Sequence, residues 1–481
     1  MDAEVPLLSE KMPSAAAASN DVFLAELKKL VRIAIPMLVV TVCQQMVIFV
    51  SMMMLGHISE LSLSGGAVAT SFTNVTGFSV LIGMACALET LCGQAYGAGQ
   101  YHKLGTYTYG AIMCLTMVAI PISILWVFMD KLLILVGQDP LISAEAGKYS
   151  VWLISAIFPY AILQCLVRYL MMQSLIVPML LSSALALCFH IPVCWALSFR
   201  SGLGSAGPAL AIGLSYWFNV ILLVVYVKYS SSCVKSRVCL WNDVLAHVGK
   251  FFRLAIPSAC MACLEWWIFE IVILLGGLLP NPQVETSVLS ICLMICSLHS
   301  CIPFSIGSGA STRISNELGA GNTDSARMAV WGVAIIGIIE LVVAAVVMMS
   351  LRSVVGYAFS NETEVVGYIK RMIPLVSLML VSDGISGLLS AVARGGGWQH
   401  LGAYVNLGAY FLVGAPAAGM LGFLTNLRGM GLWMGLNLAS LVQNVVLALI
   451  TIFTDWKKEE SKAQERLLNG SKPLAVVNGS C

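Results

Sequence analysis

The sequence predicts an all-α protein that crosses a membrane many times. Of its 481 residues, 59% are hydrophobic and only 10% are charged, and the mean hydropathy is +0.89. In soluble domains about a quarter of the residues are charged. Apolar runs of about 20 residues, long enough to span a bilayer as a helix, recur along almost the whole chain. The composition therefore excludes an ordinary soluble protein, and the net charge of +2 indicates no nucleic-acid partner.

Twelve apolar segments have the length of a transmembrane helix. In chain order they cover residues 30–56, 66–92, 104–127, 148–170, 176–199, 208–229, 248–276, 286–311, 325–350, 365–391, 400–424 and 429–453. Most connections between these segments are short, and the longest one separates the sixth segment from the seventh.

This long connection divides the chain into two six-helix lobes. We predict a disordered cytoplasmic tail (1–28), an N-lobe (29–229), a cytoplasmic linker (230–247), a C-lobe (248–454) and a second cytoplasmic tail (455–481). The positive-inside rule orients the chain, because 19 of the 26 lysines and arginines fall on the side that holds both tails. The other side has seven: Lys131, Lys148, Arg200, Arg352, Lys370, Arg371 and Arg428. Both termini are therefore expected in the cytoplasm.

Two motifs recur in the two lobes at nearly the same spacing. "RIAIPMLVV" begins at Arg32 and "RLAIPSACM" at Arg253, 221 residues later; "YGAGQ" begins at Tyr96 and "LGAGN" at Leu318, 222 residues later. The glycines of the second motif allow tight turns and a close approach of helix ends, so we interpret them as structural. Since each lobe has an even number of helices, both repeats enter the membrane from the same side. Parallel repeats around a cavity are typical of transporters.

The energy source of such a transporter is expected to be an ion gradient. The sequence contains no G-x-x-x-x-G-K-(S/T) motif for binding ATP phosphates. Coupling to an ion requires titratable groups inside the membrane, where a carboxylate costs roughly 2.5–3.5 kcal/mol. The acidic residues in or beside the apolar segments of the C-lobe are Glu265, Glu270, Glu285, Glu340 and Asp383.

Depth along the helix separates these acidic residues. Glu265 lies about 22 Å from Lys250 and about 16 Å from Gly276, which is near mid-membrane. Asp383 is also central in its segment. Glu270 lies only about 9 Å from Gly276, and its side chain points about 140° away from that of Glu265. We therefore predict Glu265 and Asp383 as the proton-coupling and substrate-binding residues.

The remaining candidates are predicted to be accessory. Two of them, Glu270 and Glu285, lie near the ends of their helices. The third, Glu340, is central in its helix, but the sequence identifies no partner for it. For every one of the acids, a structural hydrogen bond to a serine or threonine of a neighbouring helix remains the alternative. Trp266 could stack on an aromatic or cationic substrate, although packing in the core or against lipid is the more common role of such a residue.

Four segments closely resemble the plant branch of the multidrug and toxic compound extrusion (MATE) family: "ETLCGQAYGAGQ", "STRISNELGAGN", "ARGGGWQHLGAYVNLGAYFLVGAP" and "TDW". The resemblance covers about residues 25–456. It implies a twelve-helix, two-lobed, V-shaped exporter that is coupled to cations, in plants to protons. The coupling acids of the family's C-lobe fall on Glu265 and Asp383, and Asn406 in the third motif is a further accessory candidate.

The resemblance also limits the mechanism and the substrate. Many prokaryotic relatives carry an aspartate on the first helix, where this sequence has Gln44 and Gln45, which argues against proton coupling of that type in the N-lobe. The family's citrate exporters have a long loop between the second and third helices. Here that connection is short, which argues against citrate.

We therefore predict a proton-driven antiporter that exports bulky cationic or amphipathic compounds, xenobiotics or secondary metabolites, from the cytosol to the vacuole or the cell exterior. Protonation of the coupling acids would release the substrate. We expect a monomer in the vacuolar or plasma membrane that uses a proton gradient rather than sodium and needs no metal or organic cofactor. The alternative is a flippase for lipid-linked precursors, although the spans have few basic residues to bind such lipids. The lack of a G-x-S-x-G motif argues against a membrane-embedded hydrolase.

Overall fold

The computed structural model describes residues 15–238, 241–359 and 362–468, and in this part of the chain twelve helices are long and apolar enough to cross a membrane. These are α1 (Ala15–Ile58), α2 (Glu60–Gly97), α3 (Tyr101–Val127), α4 (Pro140–Met172), α5 (Ile176–Phe199), α6 (Ala206–Tyr229), α7 (Trp241–Gly276), α8 (Pro282–Gly319), α9 (Thr323–Ser350), α10 (Thr363–Gly396), α11 (Gln399–Phe423) and α12 (Gly429–Phe453). A shorter helix, α13 (Trp456–Leu468), follows them. The predicted all-α fold with twelve spans is confirmed.

Each half of the chain has its own apolar core. The core of the N-lobe, α1–α6, includes the buried rings of Trp126 and Tyr149, and the core of the C-lobe, α7–α12, includes those of Trp433 and Tyr410. The outer surfaces are apolar as well, with side chains such as Leu274 72% exposed. Apolar surface on both sides of a helix is what a lipid environment requires.

Two spanning helices contain π-helical turns. The π turn of α2 covers Asn74–Phe78, and the π turn of α11 covers Leu407–Gly414. Such turns interrupt the regular hydrogen-bond pattern and occur frequently at functional sites. The buried face of the turn in α11, which includes Ala409 and Tyr410, borders the site described below.

The lobes meet through a reciprocal contact at the terminal face, the end of the bundle at which α1 begins and α12 ends. A methyl group at Gly97 of α2 would overlap with the main-chain oxygen of Asn316 in α8, and one at Gly319 of α8 would overlap with the main-chain oxygen of Gln94 in α2. Gly97 and Gly319 hold equivalent positions in the two repeats. Their lack of a side chain therefore lets the helix ends of both lobes touch.

The first predicted tail is partly wrong. Residues 15–28 were expected to be disordered, but they form the first turns of α1. Alanine-rich sequence favours a helix, and Glu26 makes an ion pair of 2.8 Å with Arg313 of α8. This pair anchors the start of α1 on the C-lobe. Residues 1–14 lie outside the described part of the chain.

The predicted linker and second tail also contain helix. The linker 230–247 is shorter than expected because α7 already begins at Trp241. The tail 455–481 contains α13, and its last residues, 469–481, are outside the described ranges.

Helix α13 contacts both lobes at the terminal face. On the N-lobe side, Lys103 of α3 donates a hydrogen bond of 2.5 Å to the main-chain oxygen of Leu467. On the C-lobe side, Gln464 donates one of 3.0 Å to the main-chain oxygen of Gly319. The buried face of α13 includes Trp456 and Leu467. The last helix therefore connects the two halves of the molecule.

Candidate functional site

Glu265 of α7 and Asp383 of α10 lie side by side inside the C-lobe. Their carboxyl groups lie close enough to interact with each other, and the side chain of Gln443 on α12 lies beside Glu265. Two negative charges at close range in a low-dielectric interior repel each other strongly, and a proton shared by the pair relieves this repulsion. Both side chains keep part of their surface accessible. The arrangement can hold a proton and can also face a solute.

Polar side chains of α11 hold Gln443 of α12 in place beside this pair. Gln443 accepts a hydrogen bond of 2.8 Å from the Tyr410 hydroxyl and donates one of 2.8 Å to the side-chain oxygen of Asn406. Asn406 in turn donates to the main-chain oxygen of Met261 at 2.7 Å, about one helical turn before Glu265. These bonds fix three helices of the C-lobe relative to one another at the acidic pair.

The π turn of α11 contributes directly to this frame. It starts immediately after Asn406 and contains Tyr410, whose side chain is fully buried. A helix distortion at this point is consistent with a functional position, because π turns concentrate at such sites.

A second buried charged cluster joins the lobes closer to the terminal face. Glu89 of α2, only 1% exposed, accepts hydrogen bonds from Arg394 of α10 at 2.9 Å and from Ser311 of α8 at 2.7 Å. Arg168 of α4 lies 3.8 Å from the other carboxylate oxygen. One carboxylate from the N-lobe thus faces guanidinium groups from both lobes. Arg394 is also close enough to Glu265 for their charges to interact.

The same two-lobed sequence pattern is found in known transporters. The chain matches the MatE family over residues 36–196 and 257–419, one region in each lobe. It is 52% identical to Protein DETOXIFICATION 14 of Arabidopsis thaliana over 449 residues, 93% of each chain. The chain belongs to the MATE family. It is also 49% identical to Protein DETOXIFICATION 12 of the same plant over 445 residues, 92% of each chain.

The fold agrees with that of a solved MATE transporter. The crystal structure of the eukaryotic MATE transporter AtDTX14 matches with a TM-score of 0.91 and 52% sequence identity, over 93% of this chain and 100% of that one. The predicted twelve-helix MATE fold is therefore confirmed. The protein is a membrane transporter of this family and not an enzyme.

Two predicted accessory acids of this MATE transporter have structural partners. Ser71 of α2 donates a hydrogen bond of 2.7 Å to Glu270, and this bond crosses between the lobes. Glu285 is 3% exposed and accepts hydrogen bonds from the Tyr368 hydroxyl at 2.8 Å and from the main-chain N–H of Gly429 at 3.2 Å. Because α12 begins at Gly429, Glu285 stabilises the positive end of that helix.

The other accessory candidates differ from each other. Glu340 bonds His299 of α8 at 2.9 Å, a partner that the sequence did not reveal. Trp266 is 53% exposed. Its neighbour Trp267 donates its ring N–H to the main-chain oxygen of Val75 at 2.9 Å, so it belongs to the contact between the lobes. Stacking of Trp266 on a substrate remains a prediction.

Three residues around the site were not predicted from the sequence: Arg394, Gln443 and Tyr410. Arg394 could have been found from Glu89, because an acid inside an apolar segment requires a partner. The polar face of α12 also leaves a signal, since Asn437, Ser440 and Asn444 recur at helical spacing within an apolar run. The hydroxyl group of Tyr410 gives no such signal, because tyrosine is common in apolar segments.

Proposed function

We propose that this MATE transporter is a proton-coupled antiporter that exports organic cations or amphipathic compounds. The observation that carries the proposal is the closely spaced pair of Glu265 and Asp383, which keeps accessible surface within the C-lobe. In a low-dielectric interior, the charge of such a pair interacts strongly with a bound cation. A change in protonation can therefore change substrate affinity.

The exchange of protons for substrate follows from the charge of the pair. With one proton on the pair, the remaining negative charge attracts a cationic substrate. With two protons the pair is neutral, and this attraction is lost. Acid in the vacuolar lumen or outside the cell supplies the second proton, so the substrate leaves on that side. The two states then differ in their affinity for the substrate, as a transport cycle requires.

Several observations support the direction, the ion and the substrate class. The terminal face is oriented toward the cytosol in this proposal, because lysines and arginines concentrate on that side. The two carboxyl groups lie close to each other and to Gln443, and a shared proton relieves their mutual repulsion, which favours a proton over a sodium ion. Relatives named DETOXIFICATION proteins support toxic organic compounds as substrates. Because the second proton comes from an acidic compartment, the proposed location is the vacuolar or the plasma membrane.

Transport by purified protein in liposomes tests the proposal. With an imposed pH gradient, the wild type is expected to accumulate a fluorescent organic cation such as ethidium. Glu265→Gln and Asp383→Asn each remove one proton site while they keep the shape of the side chain. Both variants are expected to reduce gradient-driven accumulation to near the level of protein-free liposomes.

Glu270→Gln is the matched control, because it makes the same chemical change on the same helix. Its carboxyl group bonds Ser71 instead of Asp383, so most of the transport activity is expected to remain. Wild-type rates in both Glu265→Gln and Asp383→Asn would show that the coupling assignment is wrong. Transport driven by a sodium gradient alone would show that the proton is not the coupling ion.

A further inference from the structure

Helix α13 is tied to the C-lobe at its first end. Only Thr454 and Asp455 separate it from α12. The side chain of Asp455 accepts hydrogen bonds from the main-chain N–H groups of Lys457 at 3.1 Å and Lys458 at 3.3 Å. A carboxylate that accepts such bonds caps the start of a helix and stabilises it. The start of α13 is therefore held close to the end of α12.

The middle of α13 also contacts the C-lobe. Thr323 at the start of α9 donates a hydrogen bond to the carboxyl group of Glu460, and Gln464 donates one of 3.0 Å to the main-chain oxygen of Gly319. Between them, Ala463 is fully buried in an apolar cluster formed mainly by α8, α9 and α10. Most of the length of α13 thus lies on the C-lobe.

The last turn of α13 reaches the N-lobe. The ammonium group of Lys103, itself buried, donates a hydrogen bond of 2.5 Å to the main-chain oxygen of Leu467, and the side chain of Leu467 joins the apolar core of the N-lobe. A cation is favourable at this end of a helix, because the helix dipole places negative charge there. Arg466 donates a hydrogen bond of 3.3 Å to the side-chain oxygen of Gln94 on α2. We call these contacts of Arg466 and Leu467 with the N-lobe the latch.

The contact between the lobes beside the latch contains buried polar groups without partners. The side-chain nitrogen of Gln94 and the side-chain oxygen of Gln399, at the start of α11, have no hydrogen-bond partner in the described part of the chain. Gln399 lies at this contact because its side-chain nitrogen donates a hydrogen bond of 2.7 Å to Thr90 of α2. Each unpartnered buried group costs about 1–3 kcal/mol. Water can reach such groups when the lobes separate, so this contact gains from an additional element that holds it closed.

Opening of the terminal face requires α13 to leave one of the lobes. Transporters built from two repeats work by moving one repeat against the other around the binding site. Here the lobes touch at Gly97 and Gly319, so the terminal face is closed. Because α13 bonds both lobes, their separation must break one of its two sets of contacts. The short capped connection to α12 keeps the first end of the helix on the C-lobe.

We propose that the latch opens whenever the carrier opens at the terminal face, while the rest of α13 stays on the C-lobe. Arg466 and Leu467 then leave Gln94 and Lys103 together, and they return to them when the face closes. The latch is thus a conformational device that favours the closed terminal face. This inference depends on transport by movement of the lobes and not on the identity of the coupling ion.

Cleavable cross-links on either side of α13 test this movement. His102→Cys with Leu468→Cys places two exposed cysteines beside the bonded residues of the latch, so a bis-maleimide with an internal disulfide ties α13 to the N-lobe. Asn322→Cys with Ser461→Cys is the matched control, because both residues are exposed beside the bond between Thr323 and Glu460. The same reagent then ties α13 to the C-lobe.

The tether to the N-lobe is expected to reduce ethidium accumulation in liposomes to near the level of protein-free liposomes. Reduction of the linker should restore the transport, which separates a blocked movement from a damaged protein. The tether to the C-lobe is expected to leave most of the transport activity. The four single-cysteine variants and the wild type, treated with the same reagent, account for modification of native cysteines such as Cys188 and Cys260, which are exposed.

Undiminished transport by protein with the N-lobe tether in place, as verified by mass spectrometry, would overturn the proposal. Equal loss with both tethers, or loss with the C-lobe tether alone, would also overturn it, because α13 would then not stay on the C-lobe. Failure of the proposed proton coupling gives a different result, namely ethidium transport by untethered protein that does not depend on the pH gradient. The two tethers can be compared on that transport in the same way.

Discussion

The two lobes share one helical plan but use their buried polar residues differently. In the N-lobe, His190 is fully buried and is saturated by two serine hydroxyl groups. In the C-lobe, Glu265 and Asp383 lie close together, and a shared proton relieves the repulsion between their charges. The N-lobe thus has the features of a fixed packing unit, and the C-lobe has those of a unit whose charge can change.

The contact between the lobes has an asymmetric part, formed by charged side chains, and a symmetric part, formed by glycines. Glu89 is a deeply buried acid of the N-lobe, and its shortest hydrogen bond to a cation is the one to Arg394 of the C-lobe. The two glycine motifs, in contrast, contribute equally, since each packs on the main chain of the other lobe. In the charged part, a negative group of one lobe faces a positive group of the other. In the glycine part, the same close packing occurs on both sides.

Loss of the Glu89 charge is expected to have the largest effect on this contact. Glu89→Gln leaves Arg168 and Arg394 buried without their counter-charge. Removal of one partner from a buried charged cluster costs about 3–5 kcal/mol, which thermal unfolding in detergent should record as a lower melting temperature. The control is Glu364→Gln, because Glu364 is exposed. Equal melting temperatures of both variants would show that the cluster does not stabilise the contact.

Addition of a methyl group at either glycine of the contact is expected to lower the stability less than loss of the Glu89 charge. Gly97→Ala pushes a methyl group into the main-chain oxygen of Asn316, and such overpacking costs about 1–3 kcal/mol. Gly319→Ala should cost a similar amount, because the contact is reciprocal.

Gly387→Ala on α10 is the matched control for both glycine variants. A methyl group there meets open space, so the substitution should stabilise the helix by about 0.5–1 kcal/mol. A change of the same sign at Gly97 and Gly387, measured by thermal unfolding, would contradict the close approach of the two helix ends.

The smallest effect on stability is expected from the hydrogen bond between Ser71 and Glu270, which joins the lobes away from the terminal face. Ser71→Ala removes the hydrogen bond to Glu270, but that carboxyl group is partly accessible and water can replace the hydroxyl. The loss should be about 1 kcal/mol or less. A double-mutant cycle with Glu270→Gln measures the bond itself, and a coupling energy of zero would show that it contributes nothing.

Features that depend on local composition were predictable from the sequence. The twelve spans follow from apolar length, and the fit between the glycine motifs follows from their equal spacing in the repeats. The nearness of Glu265 and Asp383 was anticipated because both lie at the same depth, and the family resemblance led to the same two residues.

Features that depend on contacts between distant segments were not predictable. Glu340 is 41 residues from His299, and nothing in either segment indicates which helices become neighbours. The π turn at Leu407–Gly414 has no composition of its own that separates it from a regular apolar helix. The ion pair between Glu26 and Arg313, which anchors the first turns of α1, exists only after α8 has packed beside them.

The position of α13 has a consequence for how the protein is completed during synthesis. This helix comes after all twelve spans, yet it bonds Lys103 of the N-lobe and carries Gln464, which bonds the C-lobe. The contact between the lobes at the terminal face therefore becomes complete only when the last helix has left the ribosome. A chain that stops after Phe453 would insert every span and still lack the bridge that α13 makes at the terminal face.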